Sequence, residues 1–149
     1  MTNTAQPSTI TADGTDRSRI LKAGLIAVGG SVAANLILRA LLGLFFDLSA
    51  DFPPYNFGSI AFFSVLPTTI AVGLFWLLAR FTARPVRLFT IIAAVVFVVT
   101  LGPNLALAAN PAAAPFPGQA SDFLTLILFH LPPAVITVWA LLTQTRASR

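Results

Sequence analysis

The chain has 149 residues, of which 56% are hydrophobic and 9% charged, and its mean hydropathy is +0.85. A soluble domain gives about a quarter of its residues to Asp, Glu, Lys and Arg, and a disordered chain is richer still in charge, so both classes are excluded. The net charge of +4 does not point to nucleic acid, because such a surface gathers Lys and Arg into one patch, whereas here they flank apolar runs. The absence of Cys removes disulfides and thiolate metal sites.

Residues 1–19 carry Thr, Asn, Ser, Asp and Gly without an apolar pattern, and are expected as a disordered tail. Four apolar runs follow, from Ala23 to Phe46, Phe57 to Phe81, Leu88 to Ala109 and Phe123 to Thr143. Each is close to the ~20 residues a helix needs to cross a ~30 Å hydrocarbon core. Barrel strands would be about ten residues long with alternating polarity. Inside lipid each segment must satisfy its own backbone, so the expected fold is an all-α membrane protein, a four-transmembrane-helix bundle over residues 20–145, with a short tail at 146–149. The first run begins late and is full-length, which fits an uncleaved anchor rather than a signal peptide.

Orientation follows from charge. Arg17, Arg19 and Lys22 precede the first run, Arg80, Arg84 and Arg87 fill the link between the second and third, and Arg146 and Arg149 follow the fourth. The other two loops hold Asp47, Asp51 and Asp122 but no Lys or Arg. By the positive-inside rule both termini are cytoplasmic, in a multi-pass protein of the plasma (inner) membrane. The two outer loops are Pro-rich, and their Phe52, Tyr55 and Phe116 are expected to dock at the headgroups or cap the bundle.

Polar residues inside the runs are where function would show. Ser31, Asn35 and Arg39 share a helix face at intervals of four; Ser64 and Thr68, Thr100 and Asn104, and His130 and Thr137 mark the other three runs. At ~1.5 Å per residue, Arg39, Ser64, Asn104 and His130 fall at similar depth in the outer half. Together with Asn35 they are the candidates for a shared polar pocket or network. Arg39 is a permanent cation with five donors, and no Asp or Glu lies within any run. Its partners could be Asp47, Asp51 or Asp122. They could equally be carbonyls of Phe63, Val99, Leu128 and Phe129, freed because Pro67, Pro103, Pro132 and Pro133 lack an N–H. Alternatively Arg39 snorkels to the headgroups. His130 has no second His and no carboxylate at ligand spacing, so neither metal nor cofactor is expected. Small residues four apart on the first run (Gly30 and Ala34, Gly29 and Ala33, Ala27 and Ser31) suit close helix contact.

The second half, with Arg80, Arg84 and Arg87 leading into an aliphatic run that ends Leu101-Gly102-Pro103, then Leu128-Phe129-His130-Leu131 and a last run closed by Arg146, resembles a domain-of-unknown-function family of small bacterial four-helix integral membrane proteins. The resemblance implies topology and no activity; the doubled Pro132-Pro133 departs from the pattern and is expected to distort the fourth helix. For function, intramembrane hydrolysis would need paired Asp, an oriented Ser–His pair or a metal motif, and none is present. The leading expectation is a non-enzymatic binding or assembly module whose partners are the bilayer, a lipid or small ligand, another membrane protein or a second copy of itself. The alternative is a small oligomeric transporter or channel for a polar or anionic solute.

Overall fold

The computed structural model describes residues 10–147. Among them lie α1 (Ile20–Phe45), α2 (Phe57–Phe81), α3 (Pro85–Ala109), α4 (Ala120–Leu128) and α5 (Leu131–Gln144). α1, α2, α3 and the α4–α5 pair are the four segments long and apolar enough to cross a membrane, and at most 22% of any such stretch is buried by the rest of the chain. Flanks this apolar and this exposed, such as Leu44, Phe45, Val98 and Val99, are stable only where the surroundings are hydrocarbon.

The helices run antiparallel in sequence order. α1 packs mainly on α2 and α5, while α3 packs on α4 and α2. Of the small-residue pairs on α1, Ala27 and Ser31 form the buried contact face, continued by Ala23 and Gly24; Gly29 and Ala33 are exposed. A Cβ at Gly24 would lie 2.7 Å from a Val72 methyl, so its hydrogen is what lets α1 and α2 approach here.

Two apolar clusters close the bundle. At the end near the chain termini, Ile20, Ala23, Phe75, Ala79, Phe89 and Leu141 pack together. At the distal end, Phe52, Tyr55, Ile60, Phe123 and Phe129 do so. Phe52 stands edge-on to Tyr55, Phe116 and Phe123 at 4.7, 5.5 and 5.3 Å. The loop aromatics therefore cap the bundle, with Phe52 1% and Tyr55 3% exposed.

The fourth run carries the distortion expected at its doubled proline: α4 ends at Leu128, and Phe129 and His130 form a turn whose N–H groups bond back to Leu126 and Ile127 at 3.1 Å each. Pro132 and Pro133 then sit at the second and third positions of α5, where an N–H would lack a helical partner anyway, so the doubled proline restarts the helix. One expectation is corrected: the segment to residue 19 is not structureless where it is described. Thr11–Gly14 forms a turn with Gly14 at φ +79°, and Asp16 N–H bonds Thr145 O while Ala147 N–H bonds Gly14 O. The expected tails at 1–9 and 148–149 lie outside the described residues.

Candidate functional site

The five residues expected to share a pocket are not gathered into one. Two of them meet. Asn35 on α1 donates from Nδ2 to Ser64 Oγ on α2 and to the Phe129 carbonyl, both at 2.9 Å, and the Ser64 hydroxyl in turn donates a hydrogen bond to Ile60 O at 2.7 Å. Phe129 O is the carbonyl that Pro133 leaves without a helical N–H, so proline creates the acceptor and Asn35 fills it. Asn35 is 3% exposed and Ser64 fully buried.

Next to this junction lie polar atoms without a protein partner. The antiparallel register that sets Asn35 against Ser64 sets Ser31, four residues earlier, against Thr68, four later. Ser31 Oγ, Thr68 Oγ1 and Asn35 Oδ1 are all buried and make no hydrogen bond among the described residues. Thr137 of α5 is also buried. These hydroxyls continue the polar faces seen in the sequence, but Ser31 and Thr68 were not among the site candidates. The signal that would have found them is the matched pair of polar residues four apart on both helices.

The other three candidates bond elsewhere. His130 Nδ1 lies 2.9 Å from Leu126 O one turn back, and Asn104 Nδ2 makes a long bond of 3.4 Å to Thr100 O of its own helix. Arg39 donates from Nε to Tyr55 O at 2.9 Å, and its guanidinium carbon stands 5.4 Å from the centre of the Phe57 ring. Its Nη1 passes Gly43, where a Cβ would lie 2.8 Å away. The guanidinium thus reaches one turn towards the distal end of α1, against the usual N-terminal tilt of helical side chains. Asp47, Asp51 and Asp122 were one of the alternatives for its partner, yet among the described residues none pairs with it. Its acceptor is a turn carbonyl, which sequence spacing alone does not disclose. Arg39 borders an open hollow formed by Gly43, Leu44, Phe45, Phe46, Asp47 and Leu48.

Just outside the membrane-spanning segments, burial pushes the Tyr55 phenol up to about 12, so it stays protonated and its hydroxyl donates to Asp122 O at 3.3 Å. No group of three His, Cys, Asp or Glu side chains that could hold a metal occurs among the described residues.

The fold and this geometry define a four-pass helical membrane protein with a polar junction in its middle and one cation at its distal rim. The chain belongs to a family of unknown function (DUF6069), whose profile matches residues 15–147. No curated protein and no solved structure matches it.

Proposed function

We propose that the protein is a non-enzymatic binding or assembly module of the plasma (inner) membrane, with both termini cytoplasmic, that presents Arg39 to an anionic group at its outer rim. The observation that carries this reading is the Arg39 guanidinium, held by Tyr55 O at 2.9 Å beside an open hollow and lacking a carboxylate partner among the described residues. A permanent cation half-buried at a membrane rim is costly unless an anion meets it. The non-enzymatic part is supported by Ser64 and His130, the pair from which a nucleophile could be built: each is bonded to a backbone carbonyl of its own chain segment. The orientation is supported by the clustering of Arg17, Arg19, Lys22, Arg80, Arg84, Arg87 and Arg146 at the end near the termini. Because the chain lacks Cys, Ser49→Cys should react with an impermeant maleimide on intact cells and Ser18→Cys only after lysis.

A transport role is the second reading, favoured by the unwound Phe129–His130 turn and by the unpartnered buried oxygens beside it. One pair of measurements separates the two. Phospholipid phosphorus retained per purified chain should fall in Arg39→Gln, while proteoliposomes of the wild type carry no flux of polar anions above protein-free vesicles. Flux that disappears in Asn35→Ala, with unchanged bound phosphorus in Arg39→Gln, would replace the binding reading with transport.

A further inference from the structure

The rim hollow contains two opposite charges that do not meet. Arg39 and Asp47 both line it, Arg39 in the last two turns of α1 and Asp47 two residues past its end, and neither has an ion-pair partner among the described residues. Asp47 is exposed and Arg39 half-buried. Of the guanidinium's five N–H donors, the Nε one is spent on Tyr55 O. That bond and the Phe57 ring fix the plane of the group and leave the two Nη nitrogens for an outside acceptor. The guanidinium passes close over Gly43, where a Cβ would lie 2.8 Å from Nη1. Around the charges stand Leu44, Phe45 and Phe46, exposed by 76%, 78% and 62%, an apolar wall at the level where helix α1 ends.

We propose that this hollow holds the headgroup of a zwitterionic phospholipid with a primary amine, its phosphate on the Arg39 Nη groups, its ammonium on the Asp47 carboxylate and its glycerol and upper acyl segments against Leu44, Phe45 and Phe46. The proposal rests on the binding role of Arg39 given above and names the ligand's class. A planar guanidinium suits two phosphate oxygens at once. A purely anionic headgroup would bring its second polar end towards Asp47 without a positive charge to meet it. A quaternary choline carries the charge but no N–H, whereas an ammonium offers three donors to the carboxylate. The exposed apolar wall distinguishes a lipid from a free phosphate ester, which would leave that wall uncovered.

The test uses the full chain in mixed micelles, titrated with diacyl phosphatidylethanolamine, phosphatidylcholine, phosphatidylglycerol and the soluble glycerophosphoethanolamine, and read by native mass spectrometry. Wild type should favour phosphatidylethanolamine over the other two lipids by about tenfold, the size of one charge-assisted contact. Asp47→Asn should erase that preference, weakening phosphatidylethanolamine more than phosphatidylcholine. Arg39→Gln should weaken all three lipids by about tenfold or more. Asp47 makes no hydrogen bond among the described residues, so its variant keeps the fold, which an unchanged unfolding midpoint verifies. A wild type that does not discriminate among headgroups, or an Asp47→Asn variant that still does, overturns the zwitterion assignment while loss of lipid in Arg39→Gln keeps the anion-binding role. Equal lipid binding by wild type and Arg39→Gln overturns both. Glycerophosphoethanolamine binding as tightly as the lipid overturns the membrane source and assigns the hollow to a soluble ester.

Discussion

Asn35 is the side chain on which the middle of the bundle turns, and its two amide hydrogens go to different segments: one to Ser64 of α2 and one to Phe129 O in the turn between α4 and α5. Replacing it by Ala strands a buried carbonyl and a hydroxyl lone pair, and should destabilise the protein by about 1–3 kcal/mol. Ser31 and Thr68 sit one turn away with hydroxyls that find no partner among the described residues. Ser31→Ala and Thr68→Val should therefore be neutral within about 0.5 kcal/mol, or stabilising, since they remove an unmet polar atom at nearly constant shape. Unfolding in dodecyl sulfate–detergent mixtures reads all three; a Ser31→Ala cost equal to that of Asn35→Ala would mean that an ordered water ties these oxygens together. The sequence made part of this legible. Polar faces at intervals of four and the proline-freed Phe129 carbonyl could both be read from residue spacing, and both participate in the junction. Which donor would take that carbonyl could not, because the choice among Asn35, Arg39 and Asn104 depends on helix rotation and on which helices are neighbours.

At the scale of elements, length and hydropathy located four crossings, and the discrepancies arise where local chemistry competes with the apolar pattern. α3 begins at Pro85 rather than Leu88 because proline is preset for the first helical position; α1 begins at Ile20 because that side chain is buried in the terminal cluster. The break between α4 and α5 was foreshadowed by Pro132-Pro133, and its position follows from the Leu126 and Ile127 carbonyls taking the tighter bonds from the Phe129 and His130 N–H groups three residues on. The break and Asn35 should be coupled. In Pro133→Ala a restored N–H can reach Phe129 O four residues back, competing with Asn35 for the same acceptor. The cost of Asn35→Ala should then shrink by about half in the Pro133→Ala background, a coupling on the scale seen for residues sharing one partner. Additive costs in that double-mutant cycle would show that Phe129 O is held open by the turn itself, independently of the missing N–H.

Over the whole molecule, the chain ends are tied to the bundle by contacts that composition conceals. α3 has no capping side chain at its own start; Asp13 supplies one from the other end of the chain, accepting the Val86 N–H at 2.9 Å. The same carboxylate accepts the Thr11 and Thr15 hydroxyls at 2.5 and 2.9 Å, and Thr15 pairs with Arg146. A polar stretch of this kind reads as unstructured because its partners lie more than seventy residues away. Partial burial raises the Asp13 carboxyl, but the hydrogen bonds from Thr11, Val86 and Thr15 outweigh it and hold the group below its ordinary 3.8. A carboxylate with a depressed folded value contributes stability that is complete above the unfolded value and disappears as pH falls through the folded one. At neutral pH, Asp13→Ala should speed amide exchange at Val86 and Ala147 by about three- to tenfold, the size of a charge-assisted bond discounted for solvent exposure. Asp13→Asn, which keeps an acceptor oxygen but not the charge, should fall between. As pH is lowered through 3.8 and beyond, wild type and Asp13→Ala should converge, because protonation removes from the wild type what the substitution removes from the variant. Exchange that differs by the same factor at pH 7 and at pH 2.5 would show that the clasp is held by Thr15 and the terminal backbone pairing, with the Asp13 charge irrelevant to it.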